Sequence, residues 1–220
     1  MKVLWFSNTG CNSVNRKSSI SSTGGWLAEL DSAVSRMSDV ELNICFYGTK
    51  NDVYEYEYTR YFELRKPHIL KRFAERLFGS TPYSSGKGFL EVINAVKPDI
   101  IHVHGFEFPG IASIYDVYPR ERIVVSIQGI MSVYQNYFNR SLKMGGLYLY
   151  NLSFTNKFLH NFYSEYRKIK YSAGVEQNIL QNCEFVSGRT GWDKTIIQMF
   201  APNAKYFHSS RIIRSAFYDN

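Results

Sequence analysis

Short apolar runs alternate along this chain with stretches whose apolar positions recur at helical spacing. Residues 3–7, 40–47, 99–104, 122–127, 183–187 and 205–208 read as strands. The first is almost wholly apolar, as a strand buried on both faces should be. Between the first two strands, Leu27, Leu30, Val34 and Met37 fall on one side of a helix, and Glu29, Asp31 and Arg36 fill the other. This is a β-α-β unit with a right-handed crossover. Further helices are predicted over 68–78, 89–96 and 193–200, with a short one inside 106–118 that has Pro109 near its start. Residues 131–182 read as helical and very aromatic, split at Gly145-Gly146. Residues 50–66, dense in Tyr and Glu, fit neither period. The alternation predicts an α/β class: a Rossmann-like three-layer domain with a parallel sheet and helices on both faces.

In such sheets ligands bind beyond the carboxyl ends of the strands. Four predicted strand ends carry Gly or polar residues: Gly24-Gly25, His104-Gly105, Gln128-Gly129 and Ser187-Gly188-Arg189. A Gly pair at a helix entrance bares backbone N–H groups and admits a ligand without a Cβ in the way, which suits an anion or sugar phosphate. A plain flexible loop with a helix-entry Gly pair fits the same residues. The long polar lead-in, residues 8–22, argues against a dinucleotide site, which needs a tight turn directly after the strand. His102 and His104 stand two apart on a strand and share a face. No third ligand accompanies them, so packing or capping of the strand end is the stronger reading. His104, nearer the crevice, is the candidate donor to a hydroxyl or phosphate. Glu55 and Glu63 have a spacing seen in sugar-nucleotide transferases, but no predicted strand or Gly-rich loop precedes them, and the match is read as coincidence. Neither a GxSxG elbow nor a GxxxxGK[ST] phosphate loop is present.

Composition narrows the partners. A chain of 220 residues, 45% hydrophobic, supports a real core, and a net charge of +7 favours anionic partners: sugar nucleotides, lipid phosphates, a membrane surface or nucleic acid. Basic residues are dispersed and no nucleic-acid motif occurs, so no nucleic-acid partner is expected. The basic and aromatic residues over 68–78 and 131–171 suit an anionic membrane surface, and equally a helix packed on the sheet with solvated Lys and Arg. Cys11, Cys45 and Cys183 form no CxxC, Cys45 reads as core, and the usage fits a reducing cytosol. The apolar start is broken by Asn8-Thr9-Gly10, unlike a secretory signal, and no run reaches membrane-spanning length.

Three segments carry a family likeness: Lys97-Pro-Asp-Ile-Ile-His-Val-His104-Gly105, Val124-Val-Ser-Ile-Gln128-Gly129, and Phe185-Val-Ser-Gly-Arg189-Thr-Gly-Trp192-Asp193. With the Gly24-Gly25 loop, in that order, the chain resembles the N-terminal half of the retaining GT-B glycosyltransferases of family four. The resemblance implies two Rossmann-like domains with the active site between them. Residues 1–220 would be the acceptor-side domain, the donor-binding domain would lie outside this chain, and the piece alone would be inactive. It implies hexosyl transfer from a nucleotide sugar, with retention, to a saccharide or lipid-linked acceptor, in the cytoplasm and in part at the membrane. The nucleotide-diphosphate sugar would be the donor substrate, with no further cofactor and no metal. By position, Gly24 and Gly25 would face the donor diphosphate or the acceptor. His104 and Gln128 would line the cleft floor with Gly105 and Gly129 beside them, and Arg189 would stand at the neighbouring strand end. No catalytic residue is assigned. The family often has His where Gln128 stands; Gln cannot titrate, so an acid–base role there is excluded. The rivals are a stand-alone Rossmann-like nucleotide-binding or dehydrogenase-like domain and a peripheral membrane adaptor.

Overall fold

The computed structural model describes residues 1–13, 25–66, 86–105, 110–140, 156–210 and 212. The predicted helix over 68–78, Gly24, Pro109 and the Gly145-Gly146 split lie outside the described residues. Eight strands form one sheet in the order β3-β4-β2-β1-β5-β6-β7-β8. They are β1 (Lys2–Ser7), β2 (Glu41–Gly48), β3 (Asp52–Tyr56), β4 (Thr59–Arg65), β5 (Ile100–His104), β6 (Ile123–Ser126), β7 (Phe185–Gly188) and β8 (Lys205–His208). All neighbours are parallel except β3 and β4. The described α-helices are α1 (Gly25–Val34), α2 (Lys87–Val96), α3 (Met131–Arg140), α4 (Asn156–Asn182) and α5 (Gly191–Phe200).

Alternation along β1 sorts the core into two layers. Leu4 and Phe6 point to the face covered by Phe89, Val92 and Ile93 of α2, Ile179 and Leu180 of α4, and Ile197 of α5. Val3 and Trp5 point to the other face, where Leu27 of α1 packs with Leu42, Ile44, Phe46 and Tyr61. The α/β Rossmann-like class, with helices on both faces, is therefore what forms. All six predicted strands are present.

Two sequence expectations are corrected. Asp31 does not lie on the solvent side of α1: it is buried against the sheet. Met37 does not continue the apolar stripe, because α1 ends at Val34 and Met37 is half exposed. The unassigned 50–66 segment is the β3-β4 hairpin, paired from Tyr56↔Thr59 to Asp52↔Glu63. Its two-residue turn places Glu57 at φ 53°, a left-handed position usually given to Gly or Asn. No turn residue marked it in the sequence.

Candidate functional site

The chain leaves β1 for β2 on one side and later returns to β5 on the other, so the strand order reverses between β1 and β5. The crevice outside the carboxyl ends of these strands is where an open α/β sheet binds ligands. Ser7 and His104 are register partners at its floor. The rings of His102 and His104 lie 4.0 Å apart between centroids, on the α1 face. Trp5 meets His104 edge-on at 4.7 Å, and Trp26, in the first turn of α1, meets it at 5.9 Å. His102 Nε2 and Ser126 Oγ share a 2.6 Å hydrogen bond. His104 is 1% exposed, and neither of its ring nitrogens has a partner among the described residues. Burial pushes His102 down to about 4. His104 is held well below the usual imidazole range by burial first and by His102 second.

A chain of hydrogen bonds ties the next strand ends together. Gln128 Nε2 donates to the His104 carbonyl at 3.1 Å, and Arg189 Nη2 donates to the Gln128 carbonyl at 3.0 Å. The backbone N–H groups of Arg189 and Thr190 donate to Asp193 Oδ2 at 2.8 and 3.1 Å. Thr190 Oγ1 accepts from the Asp193 N–H, which completes a capping box at the start of α5. The Gly-Arg-Thr-Gly-Trp-Asp segment thus has a structural task. Gly105 adopts φ 108°, a region closed to residues with a Cβ, while its N–H donates to the Ser126 carbonyl. Gly188 permits close packing: a Cβ there would stand 2.7 Å from Tyr206 Oη and 2.9 Å from Asp193 Cβ. Gly129 answers no such need, since a Cβ would meet only Met131 Cε at 3.8 Å. Gly25 opens α1 directly before Trp26.

His102, His104, Ser126, Ser187 and Arg189 line one side of a cavity of about 50 Å³, closed by Trp26 and Leu30. That is room for a few water-sized groups and too little for a sugar ring. Arg189 Nε is buried there without a partner among the described residues. His104, Gly105, Gln128 and Arg189 are therefore brought together, with Gly129 in the loop beyond and Gly25 across the cavity beside Trp26.

Two buried carboxylates escaped the sequence reading. Asp31 accepts from the Asn12 N–H at 3.0 Å, Thr59 Oγ1 at 2.7 Å and Tyr61 Oη at 2.5 Å. Glu176 of α4 is fully buried and accepts from the N–H groups of Met131 and Ser132 at 2.6 and 3.0 Å, and from Ser132 Oγ at 2.5 Å. It fills the N-terminus of α3, where the helix dipole favours an anion. The only sequence signal for either was a lone acid within an apolar helical stripe. A second concavity of about 570 Å³ lies beside α2 and the ends of β2 and β4. Its buried acid, Glu63, is satisfied by the N–H groups of Thr49 and Lys50. Glu55 is exposed on β3. Among the described residues, no group of three His, Cys, Asp or Glu could hold a metal, and no helix is long and apolar enough to cross a membrane.

Solved structures share this architecture. One is a sucrose-phosphate synthase from Thermosynechococcus elongatus, with a TM-score of 0.59 at 10% identity, over 96% of this chain and 48% of that one. A second structure of that synthase gives a TM-score of 0.49 at 11% identity, over 98% of this chain and 91% of that one. The chain thus spans about half the length of the first, and at this identity the likeness is one of fold. No family model and no curated protein matches the chain.

Proposed function

We infer that this chain is the acceptor-side domain of a GT-B glycosyltransferase that moves a hexosyl group from a nucleotide sugar to a saccharide or lipid-linked acceptor. The observation that carries the reading is the convergence of His104, Gln128 and Arg189 at adjacent strand ends beside the β1–β5 switch point, within a fold shared with half of a sucrose-phosphate synthase. Retention of configuration, a family-four affiliation and a saccharide or lipid-linked acceptor are supported by the sequence resemblance. The crevice wall here is basic and hydroxyl-rich, with Arg189 and Ser187, and the cavity lining has no carboxylate among the described residues. Such a wall suits a polyhydroxylated or anionic ligand. The Gly25 amide at the entrance of α1 would stabilise negative charge developing on the donor diphosphate. Gln128 acts by hydrogen bonding and by locking strand ends, since it carries no titratable proton.

Calorimetry of the 220-residue chain with UDP-glucose and GDP-mannose tests the assignment. Absence of micromolar binding is expected, because the donor grip belongs to the other domain. Micromolar affinity for either would overturn the acceptor-side placement. In the parent enzyme, Gly25→Val and His104→Ala should impair transfer while the domain stays folded by circular dichroism.

A further inference from the structure

We propose that the half-buried His102 and the buried His104 form an acid-sensitive latch: uptake of a proton by either ring releases the first turns of α1 from β5 and opens the crevice end of the domain. The observations are geometric. Two imidazoles lie 4.0 Å apart, His102 half-buried and His104 buried, and the ring of His104 has no hydrogen-bond partner among the described residues. What holds it is packing against Trp5, and against Trp26 from α1. A neutral ring tolerates that apolar seat; a cation does not.

Among the described residues no carboxylate lines the cavity beside the pair, and the hydroxyl nearest to it, Ser126 Oγ, already shares a hydrogen bond with His102 Nε2. From α1 come Trp26 and Leu30, from β1 Trp5, from β6 Ser126, from β7 Ser187, and from the chain after β8 Ser209, Ser210 and Ile212. Among the described residues the one permanent charge lining the cavity is the Arg189 guanidinium, which repels a second cation, and each histidine faces the other. Of the two acids on α1, Asp31 is engaged elsewhere with Asn12, Thr59 and Tyr61, and Glu29 is not among the residues lining the cavity. Burial lowers both imidazoles, so the closed state binds fewer protons than the open one below the ordinary value of 6.5. Opening therefore becomes easier as pH falls from that value. The consequence falls on Gly25 and Trp26, which sit on the turn that is released. The latch depends on this packing alone, whichever ligand the crevice takes.

Native-state amide hydrogen exchange, corrected for intrinsic rates, reads the opening of α1 directly. Between pH 7.5 and 5.0 the opening equilibrium of the first-turn amides should rise about 30-fold for one proton taken up with an ordinary imidazole value, and roughly 900-fold for two. Core amides of β2 should change less. His104→Phe should reduce the rise to that of a single ring. Imidazole ¹⁵N shifts of the unaltered protein supply a readout that needs no variant, and protonation of His102 or His104 should track α1 exchange. Protection of α1 that is unchanged at pH 5.0, or ring protonation with α1 still protected, would overturn the latch.

Discussion

Two polar clusters share the α1 face of the sheet and are built on opposite rules. Around Asp31 each carboxylate oxygen is used: Thr59 Oγ1 donates to one, and Tyr61 Oη with the Asn12 N–H donates to the other. Neither ring nitrogen of His104 has a partner among the described residues, nor has the Nε of Arg189, and a cavity lies alongside. A satisfied buried network fixes structure; an unsatisfied one is tolerated where it does something else. The difference separates the scaffold, at the β2-β4 side of α1, from the candidate site, at its β5 side. Asp31 belongs to the scaffold, and His104 with Arg189 to the site the proposed function uses.

The largest expected effect is on the scaffold side. Asp31→Ala strands three donors and should cost about 3–5 kcal/mol in urea denaturation. A loss below about 1 kcal/mol would dissolve the contrast. Glu176→Ala strands the Met131 and Ser132 donors and should cost about 2–4 kcal/mol, with Glu176→Gln in between. Thr190→Ala removes one half of the α5 capping box and should cost about 1 kcal/mol. His104→Phe removes an unpaired polar group and should change stability at pH 7.5 by less than about 1 kcal/mol. If it cost as much as Asp31→Ala, His104 would be scaffold too.

Acid sharpens the same comparison because the signs oppose. The histidines have lowered values, so their stability is present above 6.5 and is lost as pH falls through that value toward about 4 for His102. Asp31 is raised by burial above its ordinary 3.8, so its stability is present below that value and is lost as pH rises through its folded value. Denaturation midpoints between pH 4 and 8 should therefore flatten on the acid side in His104→Phe and rise on the neutral side, relative to the unaltered protein's trend, in Asp31→Asn.

The strands were legible because apolar runs ending in Gly or polar residues admit few other readings. The β3-β4 hairpin was not, because Glu57 fills a turn position normally marked by Gly, and the alternation of Tyr54, Tyr56 and Tyr61 was masked by the acids between them. Strand ends pointed to His104, Gln128 and Arg189, and these converge. Their mutual bonds were not readable, since Gln128 and Arg189 lie 61 residues apart and meet only through the sheet register. The buried acids were misjudged for a related reason: a charge inside an apolar stripe reads as solvated until its donors are known. The segments that suggested a family owe part of their regularity to scaffolding. Lys97 ends α2 in the left-handed region, and Thr190 with Asp193 starts α5.

We propose that a saccharide acceptor sits in the crevice at the carboxyl ends of β1 and β5, over the small cavity that Trp26 and Arg189 line and not inside it. The most direct test is an NMR titration of the chain with methyl hexosides, reading the Trp26 indole N–H and the Arg189 Nε–H. Saturable shifts at both side chains, with UDP-glucose producing none at micromolar concentration, are the predicted result. Shifts confined to the groove around Arg65 and Lys87, or none at Trp26 and Arg189 at any hexoside concentration, would contradict it.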